Sequence, residues 1–209
     1  MSGCVCATDV QDILSKAVES MRDSGAEFAD ARSQTLRNIG VSTTNGELRQ
    51  LVQKSTGGVC LRAWIGGRWG YGTVTSFEKE AIMDAAREAV RNASGERKSD
   101  LVLEPATVKC HMGAQVRIHP DSVDLSEKIA AAIDVDNAQA IDDRIVNRVG
   151  AYSEEVKENC LVNSAGSDIS WQEVRTLCRG MAIAADGQRM ERYYALILCF
   201  LEKTFLCLN

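Results

Sequence analysis

The 209-residue sequence contains only two histidines and two prolines. A mechanism that needs several imidazole groups is therefore excluded. No HExxH helix, in which two histidines one turn apart would hold a zinc ion, is present. The glycine-rich loops that cradle phosphates and the G-x-S-x-G nucleophile turn are also absent. The residues taken alone therefore indicate no active site that can be named.

Basic charge and long apolar segments are scarce as well. The 24 Lys and Arg residues against 29 Asp and Glu residues give a formal net charge of −5, which argues against sequence-independent nucleic-acid binding. No run of about 18 apolar residues could cross a bilayer as a helix, and the first residues lack the regions of a secretory signal. We therefore expect a cytoplasmic protein without direct nucleic-acid or membrane partners.

The eight cysteines are scattered along the chain and form no CxxC pair. This spacing removes the common zinc and thioredoxin-type sites, and we interpret the cysteines as reduced thiols. A small metal- or redox-responsive site built from Cys110, His111 and His119 is an alternative. A structural zinc ion needs four ligands, and no fourth is evident near these three.

Two other groups of residues have structural rather than chemical interpretations. The acidic clusters at 134–136 and 142–143 lack the glycine and the terminal glutamate of an EF-hand loop. We expect them to cover the solvated end of a helix and the following turn. Trp64, Trp69 and Trp171 lie in strand patterns, so they are expected to pack in the core or on a sheet face rather than stack on a ligand.

The first segment of the chain shows a helical pattern and then a hairpin pattern. Apolar residues at helical spacing predict a helix over Thr8–Met21. Asn45-Gly46 tolerates the positive φ angles of a type I′ turn, so it predicts a hairpin. The strands that the turn joins are expected at Ile39–Thr43 and Leu48–Lys54.

A second hairpin follows, and then a second helix. Apolar side chains alternate with Cys60, Arg62 and Trp64 over Val59–Ile65, and large residues alternate with glycines over Trp69–Thr73. Gly66-Gly67 between the two segments is the predicted turn. Ser76 is predicted to cap the next helix, whose alanine-rich face should pack closely on the sheet.

The second half of the chain repeats the order of a helix followed by hairpins. A short strand is predicted over Val116–His119. Asp124 and Glu127 form a capping-box pattern that predicts the start of a third helix. An antiparallel meander then has its turns at 163–166 and at Asp186-Gly187.

Short turns rather than helical crossovers join the predicted strands. This arrangement predicts an α+β fold with antiparallel hairpin-rich sheets, packed helices and two similar-sized sub-domains. The predicted boundaries are 1–94 for the first unit, 95–105 for a polar linker and 106–194 for the second unit. Residues 195–209 form a hydrophobic tail.

The order and spacing of three motifs resemble the TldD/PmbA family, whose members are also named modulators of DNA gyrase. Asn45-Gly46-Glu47-Leu48 stands where the family has a DGRLE-type turn and strand. Gly66-Gly67-Arg68-Trp69-Gly70 stands where the family has a DGRWG hairpin, and Asn163, Ser164 and Gly166 match an NS.G hairpin. The resemblance covers roughly Thr8 to Tyr194 and points to the N-terminal and middle segments of the family.

The resemblance implies a zinc-dependent metallopeptidase that processes or degrades small proteins and peptides. In such enzymes an HExxxH helix and a further cysteine of a C-terminal region hold the zinc ion. This sequence contains no HExxxH, so no catalytic, metal-binding or cofactor-binding residue is assigned. Zinc is expected only with a C-terminal region, and the tail over 195–209 is interpreted as an aberrant segment of a truncated chain or a natural short form.

Two hypotheses for the function follow. The chain is the N-terminal region of a TldD/PmbA-type metallopeptidase involved in proteolysis and is inactive alone, or it is a non-catalytic peptide- or partner-binding module. The expected partners are an extended peptide and a homo- or hetero-oligomeric family subunit. An unfolded peptide can add as a strand to the exposed edge of an antiparallel sheet.

Overall fold

The computed structural model describes residues 8–95 and 99–198. Within these residues, the chain forms three α-helices and seven β-strands, which confirms the predicted α+β class. The helices are α1 (Thr8–Asp23), α2 (Lys79–Asn92) and α3 (Leu125–Asn137). The strands are β1 (Phe28–Thr44), β2 (Glu47–Ile65), β3 (Arg68–Val74), β4 (Lys109–Met112), β5 (Ile145–Asn163), β6 (Asp168–Asp186) and β7 (Arg189–Leu198). None of the described helices is long and apolar enough to cross a membrane.

The strands pair in the order β3-β2-β1-β5-β6-β4, and β7 also pairs with β6. The β2–β3 and β6–β7 pairs are antiparallel hairpins, whereas the short strand β4 runs parallel to β6. Strand β2 is continuous over 19 residues. The predicted strands Leu48–Lys54 and Val59–Ile65 are therefore two parts of one strand.

The two predicted hairpin turns are confirmed by their backbone angles. Asn45 and Gly46 have φ values of 52° and 83°, and Gly66 and Gly67 have values of 55° and 80°. Positive φ at both central residues is the signature of a type I′ turn, whose twist matches that of the flanking strands. Local turn chemistry thus determines where β1, β2 and β3 reverse.

Two local predictions are wrong, and a third is confirmed only in part. Val116–His119 forms no strand, and the strand of this region is Lys109–Met112, which finds a hydrogen-bonding neighbour in β6. Ser76 does not cap α2, because its Oγ accepts the N–H of Glu78, and Glu78 is the residue at the N-cap. Asp124 does stand at the N-cap of α3, but its side chain makes no capping hydrogen bond.

The described chain divides into two compact units, each built from interleaved segments. Unit 1 contains the residues up to Leu36, Thr56–Gly113 and Lys157–Gln172. Unit 2 contains Arg37–Ser55, Ala114–Val156 and the residues from Glu173 onward. The sequence predicts consecutive units, and its boundary at 95–105 stays a prediction. The predicted tail begins inside β7, and residues 199–209 lie outside the described part of the chain.

In unit 1, α1 and α2 cover one face of the sheet. The core contains mainly small and aliphatic side chains, among them Leu14, Ala17, Met21, Ala29, Ala31, Leu61, Ile82, Ala86 and Ala89. Glycines in β3 allow the helix backbone to come close. A Cβ atom on Gly72 would collide with the carbonyl oxygen of Ala85, and one on Gly70 would collide with that of Ala89. Helix α2 therefore packs directly on the backbone of β3.

In unit 2, α3 packs in the same way on β5. A Cβ atom on Gly150 would collide with the carbonyl oxygen of Ala132 in α3. Thr43 bridges the two elements, since its Oγ1 donates within 3.2 Å of the Gly150 carbonyl oxygen and 3.3 Å of the Ala132 carbonyl oxygen. The buried residues Val41, Tyr152 and Cys178 complete the core beside them.

A buried ionic cluster lies under α3. Lys128 Nζ donates to Glu154 Oε1 at 2.8 Å, and the Tyr152 hydroxyl donates to Glu154 Oε2 at 2.6 Å. The side chains of Lys128 and Glu154 are only 5% and 4% exposed. Because charges so deeply buried are stable only when paired, each depends on the other.

One acidic residue of the predicted solvated cluster is also buried. Asp136 is fully shielded from solvent, accepts the N–H of Gly46 at 3.1 Å and pairs with Arg148 at 3.2 Å. The prediction of a solvent-facing role is therefore wrong for Asp136. Its carboxylate instead ties the β1–β2 turn to α3 and β5.

The close packing of α2 gives a stability prediction. Gly72→Ala places a methyl group where the Ala85 carbonyl oxygen lies, so the helix must move away from the sheet. We expect the free energy of unfolding, measured by urea denaturation, to fall by about 2–3 kcal/mol. The control is Gly113→Ala, since a Cβ atom there meets nothing within 4 Å. Equal stability of the two variants would contradict the packing.

The ionic cluster under α3 gives a second stability prediction. Lys128→Met leaves the Glu154 carboxylate buried without its cation, and we expect a loss of about 3–5 kcal/mol in the free energy of unfolding. The double variant Lys128→Met/Glu154→Gln removes both charges and keeps an acceptor for Tyr152. It should recover most of that loss in the same denaturation experiment. A double variant as unstable as the single one would show that the charges are not coupled.

Candidate functional site

Successive side chains of a strand point to opposite faces of its sheet. In unit 1, Ala29, Ala31 and Leu61 lie in the core under the helices. The residues between them therefore lie on the opposite face, which we call the outer face. The outer face is formed by Asp30, Arg32 and Gln34 of β1, Cys60, Arg62 and Trp64 of β2, Trp69, Tyr71 and Thr73 of β3, Asn159 of β5 and Trp171 of β6.

The outer face carries an open groove of about 910 Å³. Arg32 and Gln34 line it from β1, Gly58 and Cys60 line it from β2, and Thr73 lines it from β3. A cavity of this size is in the range of ligand-binding sites, about 300–1,000 Å³. We take this groove as the candidate functional site, because it combines room with several polar groups.

Beside the groove, Arg62 and Asp30 form an ion pair in which each charge neutralises the other. Arg62 Nε lies 2.9 Å from Asp30 Oδ1 and 3.1 Å from Asp30 Oδ2, and the Arg62 Nη2 atom also donates to this carboxylate. The guanidinium carbon lies 4.9 Å from the centre of the Trp69 ring. The hydrogen bonds that Arg62 donates to Asp30 raise the pKa of Arg62, so both groups stay charged and neutralise each other.

Arg32, the arginine that lines the groove, has no acidic partner among the described residues. The guanidinium carbon of Arg32 lies 5.3 Å from the centre of the Trp171 ring, and the side chain is exposed. No carboxylate in the described part of the chain forms an ion pair with Arg32. Stacking on an aromatic ring orients a guanidinium but leaves its N–H donors available. Arg32 therefore gives the groove an uncompensated positive charge.

A buried amide borders the same face. Asn159 is 1% exposed, and its Oδ1 accepts a hydrogen bond from Gln34 Nε2 at 2.7 Å. Its Nδ2 atom is buried and finds no acceptor among the described residues. A buried donor without a partner is costly, by about 1–3 kcal/mol. The hydrogen bond that Asn159 accepts holds the Gln34 side chain in place in the groove wall.

Cys60, the one thiol among the described residues that line the groove, is not activated. Burial is the largest influence on the pKa of Cys60 and raises it, Arg62 lowers it, Asp30 raises it and Arg32 lowers it, and the net shift is upward. A raised pKa keeps the sulfur protonated at neutral pH, whereas a nucleophile must be a thiolate. The groove therefore offers hydrogen bonds and charge to a ligand and provides no thiolate for covalent chemistry.

The residues considered for a metal site are not brought together. Cys110 and His111 are neighbours on β4, so their side chains point to opposite faces, and His111 Nδ1 lies 2.9 Å from Ser170 Oγ. His119 belongs to unit 2 and accepts the N–H of Asp121 at 3.3 Å. Across residues 8–95 and 99–198, no three His, Cys, Asp or Glu side chains form a group that could hold a metal. The donor set does not fit a zinc ion.

The three tryptophans lie on the outer face as expected for sheet packing. The Trp64 and Trp69 ring centres are 5.0 Å apart, and Phe28 meets Trp69 edge to face at 6.1 Å. Sequence reasoning did not single out Arg32. The only available signal was the alternation of Ala29 and Ala31, which places the residues between and after them on the face opposite the core.

Comparison with known protein families gives two matches in succession. Residues 29–93 match the PmbA/TldA metallopeptidase domain 1, and residues 118–203 match the PmbA/TldA metallopeptidase central domain. Together they cover more than half of the chain. No curated protein matches the chain significantly.

Several solved structures share the fold. A candidate modulator of a DNA gyrase from Thermotoga maritima is 18% identical with a TM-score of 0.67, over 89% of this chain and 42% of that one. A second such candidate, from Bacteroides thetaiotaomicron, is 15% identical with a TM-score of 0.72, over 89% and 44%. TldE from Thermococcus kodakarensis is 15% identical with a TM-score of 0.64, over 90% and 44%. The chain spans less than half the length of these structures.

The raised pKa of Cys60 predicts slow alkylation. Burial disfavours the thiolate, so labelling by iodoacetamide should have its pH midpoint above that of a free cysteine peptide. Mass spectrometry of the peptide containing Cys60 measures the labelled fraction over time. In urea the midpoint should fall to that of the free peptide. A midpoint in the folded protein at or below the free value would contradict the assignment.

Proposed function

Because the chain belongs to the PmbA/TldD family, we propose that it supplies the peptide-holding, non-catalytic part of a family metallopeptidase involved in proteolysis. The observation that carries this proposal is the succession of matches to the first and central domains of the family. The groove on the outer face supports it, since it offers hydrogen bonds and charge without an activated nucleophile.

The hydrolytic step requires residues that this sequence does not contain. The sequence has no HExxxH, and the described residues bring together no set of zinc ligands. We therefore propose that hydrolysis depends on a region with this motif, in the same polypeptide or in a partner subunit of a cytoplasmic homo- or hetero-oligomer. This chain holds and presents the peptide, and the other region cleaves it.

A second candidate function is a peptide- or partner-binding module without any link to hydrolysis. Exposed sheet edges favour it. Residues 47–56 of β2 are all exposed, and Leu48, Leu51 and Val52 are apolar side chains among them. Strand β3 pairs with β2 only over Val59–Ile65. The backbone of the preceding segment can therefore accept an added strand.

Peptide binding and hydrolysis are separable in one experiment. Fluorescein-labelled β-casein, an unfolded protein, should bind the full 209-residue chain, and fluorescence anisotropy measures the binding. With zinc added, the chain alone should release no peptide fragments. Addition of a family subunit that carries HExxxH should give cleavage faster than that subunit alone, and a zinc chelator should abolish it.

The outcomes distinguish the two candidate functions. Casein binding without any acceleration of cleavage would favour the binding module. Zinc-dependent cleavage by this chain alone would refute the assignment of a non-catalytic role. A subunit in which both histidines of its HExxxH are replaced by alanine serves as the matched control, because it should bind the chain but give no cleavage.

A further inference from the structure

We propose that the groove on the outer face selects peptide segments that carry a carboxylate, and that Arg32 receives this carboxylate. The inference rests on the proposed function, since it names the class of peptide that the groove takes. The carboxylate can come from an Asp or Glu side chain or from the C-terminus of the peptide. Both sources present the same planar pair of oxygens to a guanidinium.

The charge balance of the outer face supports this choice. Asp30 is almost fully buried and is already paired with Arg62 by three hydrogen bonds. Arg32 is exposed and forms no ion pair among the described residues. Of the two arginines, only Arg32 is available for an incoming anion. A bound carboxylate would bring the local charge to zero.

The orientation of Arg32 is suited to this task. Its guanidinium carbon lies 5.3 Å from the centre of the Trp171 ring. A cation–π contact of this kind restrains the guanidinium without using its N–H donors, which can match a carboxylate in bidentate geometry. Ordering the side chain in advance reduces the entropy lost on binding.

The remaining groups of the groove suit a peptide backbone. Gln34 and the Thr73 hydroxyl line the walls, and Asn159 fixes the Gln34 amide by a hydrogen bond of 2.7 Å. Gly58 lines the groove with its backbone alone, and a Cβ atom on it would lie 2.7 Å from the Val74 carbonyl oxygen of β3. Amide and hydroxyl groups can donate to peptide carbonyl oxygens irrespective of sequence. The groove walls then supply the affinity for a peptide backbone, and Arg32 supplies the selectivity for a carboxylate.

Three matched fluorescein-labelled peptides test the inference on the full chain. The first contains a central Glu and an amidated C-terminus, the second has Gln in place of Glu and a free C-terminal carboxylate, and the third has Gln and an amidated C-terminus. We expect at least one of the two carboxylate peptides to bind about tenfold more tightly than the neutral peptide, a charge-assisted hydrogen bond being the difference. The tighter one identifies the source of the carboxylate.

The variant Arg32→Gln should remove this preference, so that the carboxylate peptides bind it no more tightly than the neutral peptide does. Arg32→Lys should keep part of it, since a lysine keeps the charge but loses the bidentate geometry and the stacking on Trp171. The matched control is Arg91→Gln, which removes one exposed positive charge from α2 of the same unit. This control should keep the full preference, and far-ultraviolet circular dichroism checks that all variants are folded.

Three results overturn the inference while the proposed function stands. They are equal affinity for all three peptides, a preference that survives in Arg32→Gln, and loss of the preference in Arg91→Gln. If none of the three peptides and no β-casein binds the chain, the proposed function fails and this inference fails with it. Loss of the preference in Arg91→Gln as well would assign it to overall charge rather than to Arg32.

Discussion

Direct contact between a helix backbone and a glycine-bearing strand is the constraint on which both units depend. In unit 1, α2 lies on Gly70 and Gly72, and in unit 2, α3 lies on Gly150. At each position a Cβ atom would collide with a helix carbonyl oxygen, so only glycine permits this distance. The alanines on the buried face of α2 follow from it, because a helix held so close to the strand leaves little room for larger side chains at the contact. Large and charged side chains of the unit 1 strands are consequently found on the opposite face.

The charges of each unit show two ways of tolerating an ion in or near a folded core. Under α3, Lys128 and Glu154 are both buried and neutralise each other, which leaves nothing for a ligand. On the outer face of unit 1, Asp30 is buried but its partner Arg62 is partly exposed. These two charges also neutralise each other, so this pair leaves no net charge for a ligand. Arg32 differs from all of them, since a tryptophan rather than a carboxylate holds it.

Sequence reasoning was accurate where structure is determined locally. Positive φ angles at Asn45-Gly46 and Gly66-Gly67 depend on the residues of the turn itself, and the three helices follow from apolar periodicity. Sequence reasoning failed where a hydrogen-bonding partner far away in the sequence determines whether a segment forms a strand. Val116–His119 has a strand-like composition but no neighbouring strand, whereas the exposed segment Lys109–Met112 gains one from β6. Alternation in β2 gave no sign that one strand would serve both units.

The candidate groove was beyond prediction for the same reason. Arg32 and Trp171 are far apart in sequence and meet only because the strands between them pair in a particular order. The sequence could show that Arg32 lies opposite the core, but not that no described carboxylate forms an ion pair with it.

A peptide-holding role requires less of such a site than catalysis does. Catalysis needs a nucleophile or metal-bound water positioned within a fraction of an ångström, together with ionisation at neutral pH. Holding a peptide needs a surface whose hydrogen bonds and charge are complementary over several residues. On the outer face the Cys60 thiol is kept protonated, and the two arginines contact aromatic rings, which suits the proposed peptide-holding role. A site of this kind gains selectivity from one uncompensated charge, since opposite charge attracts one class of peptide and like charge repels another.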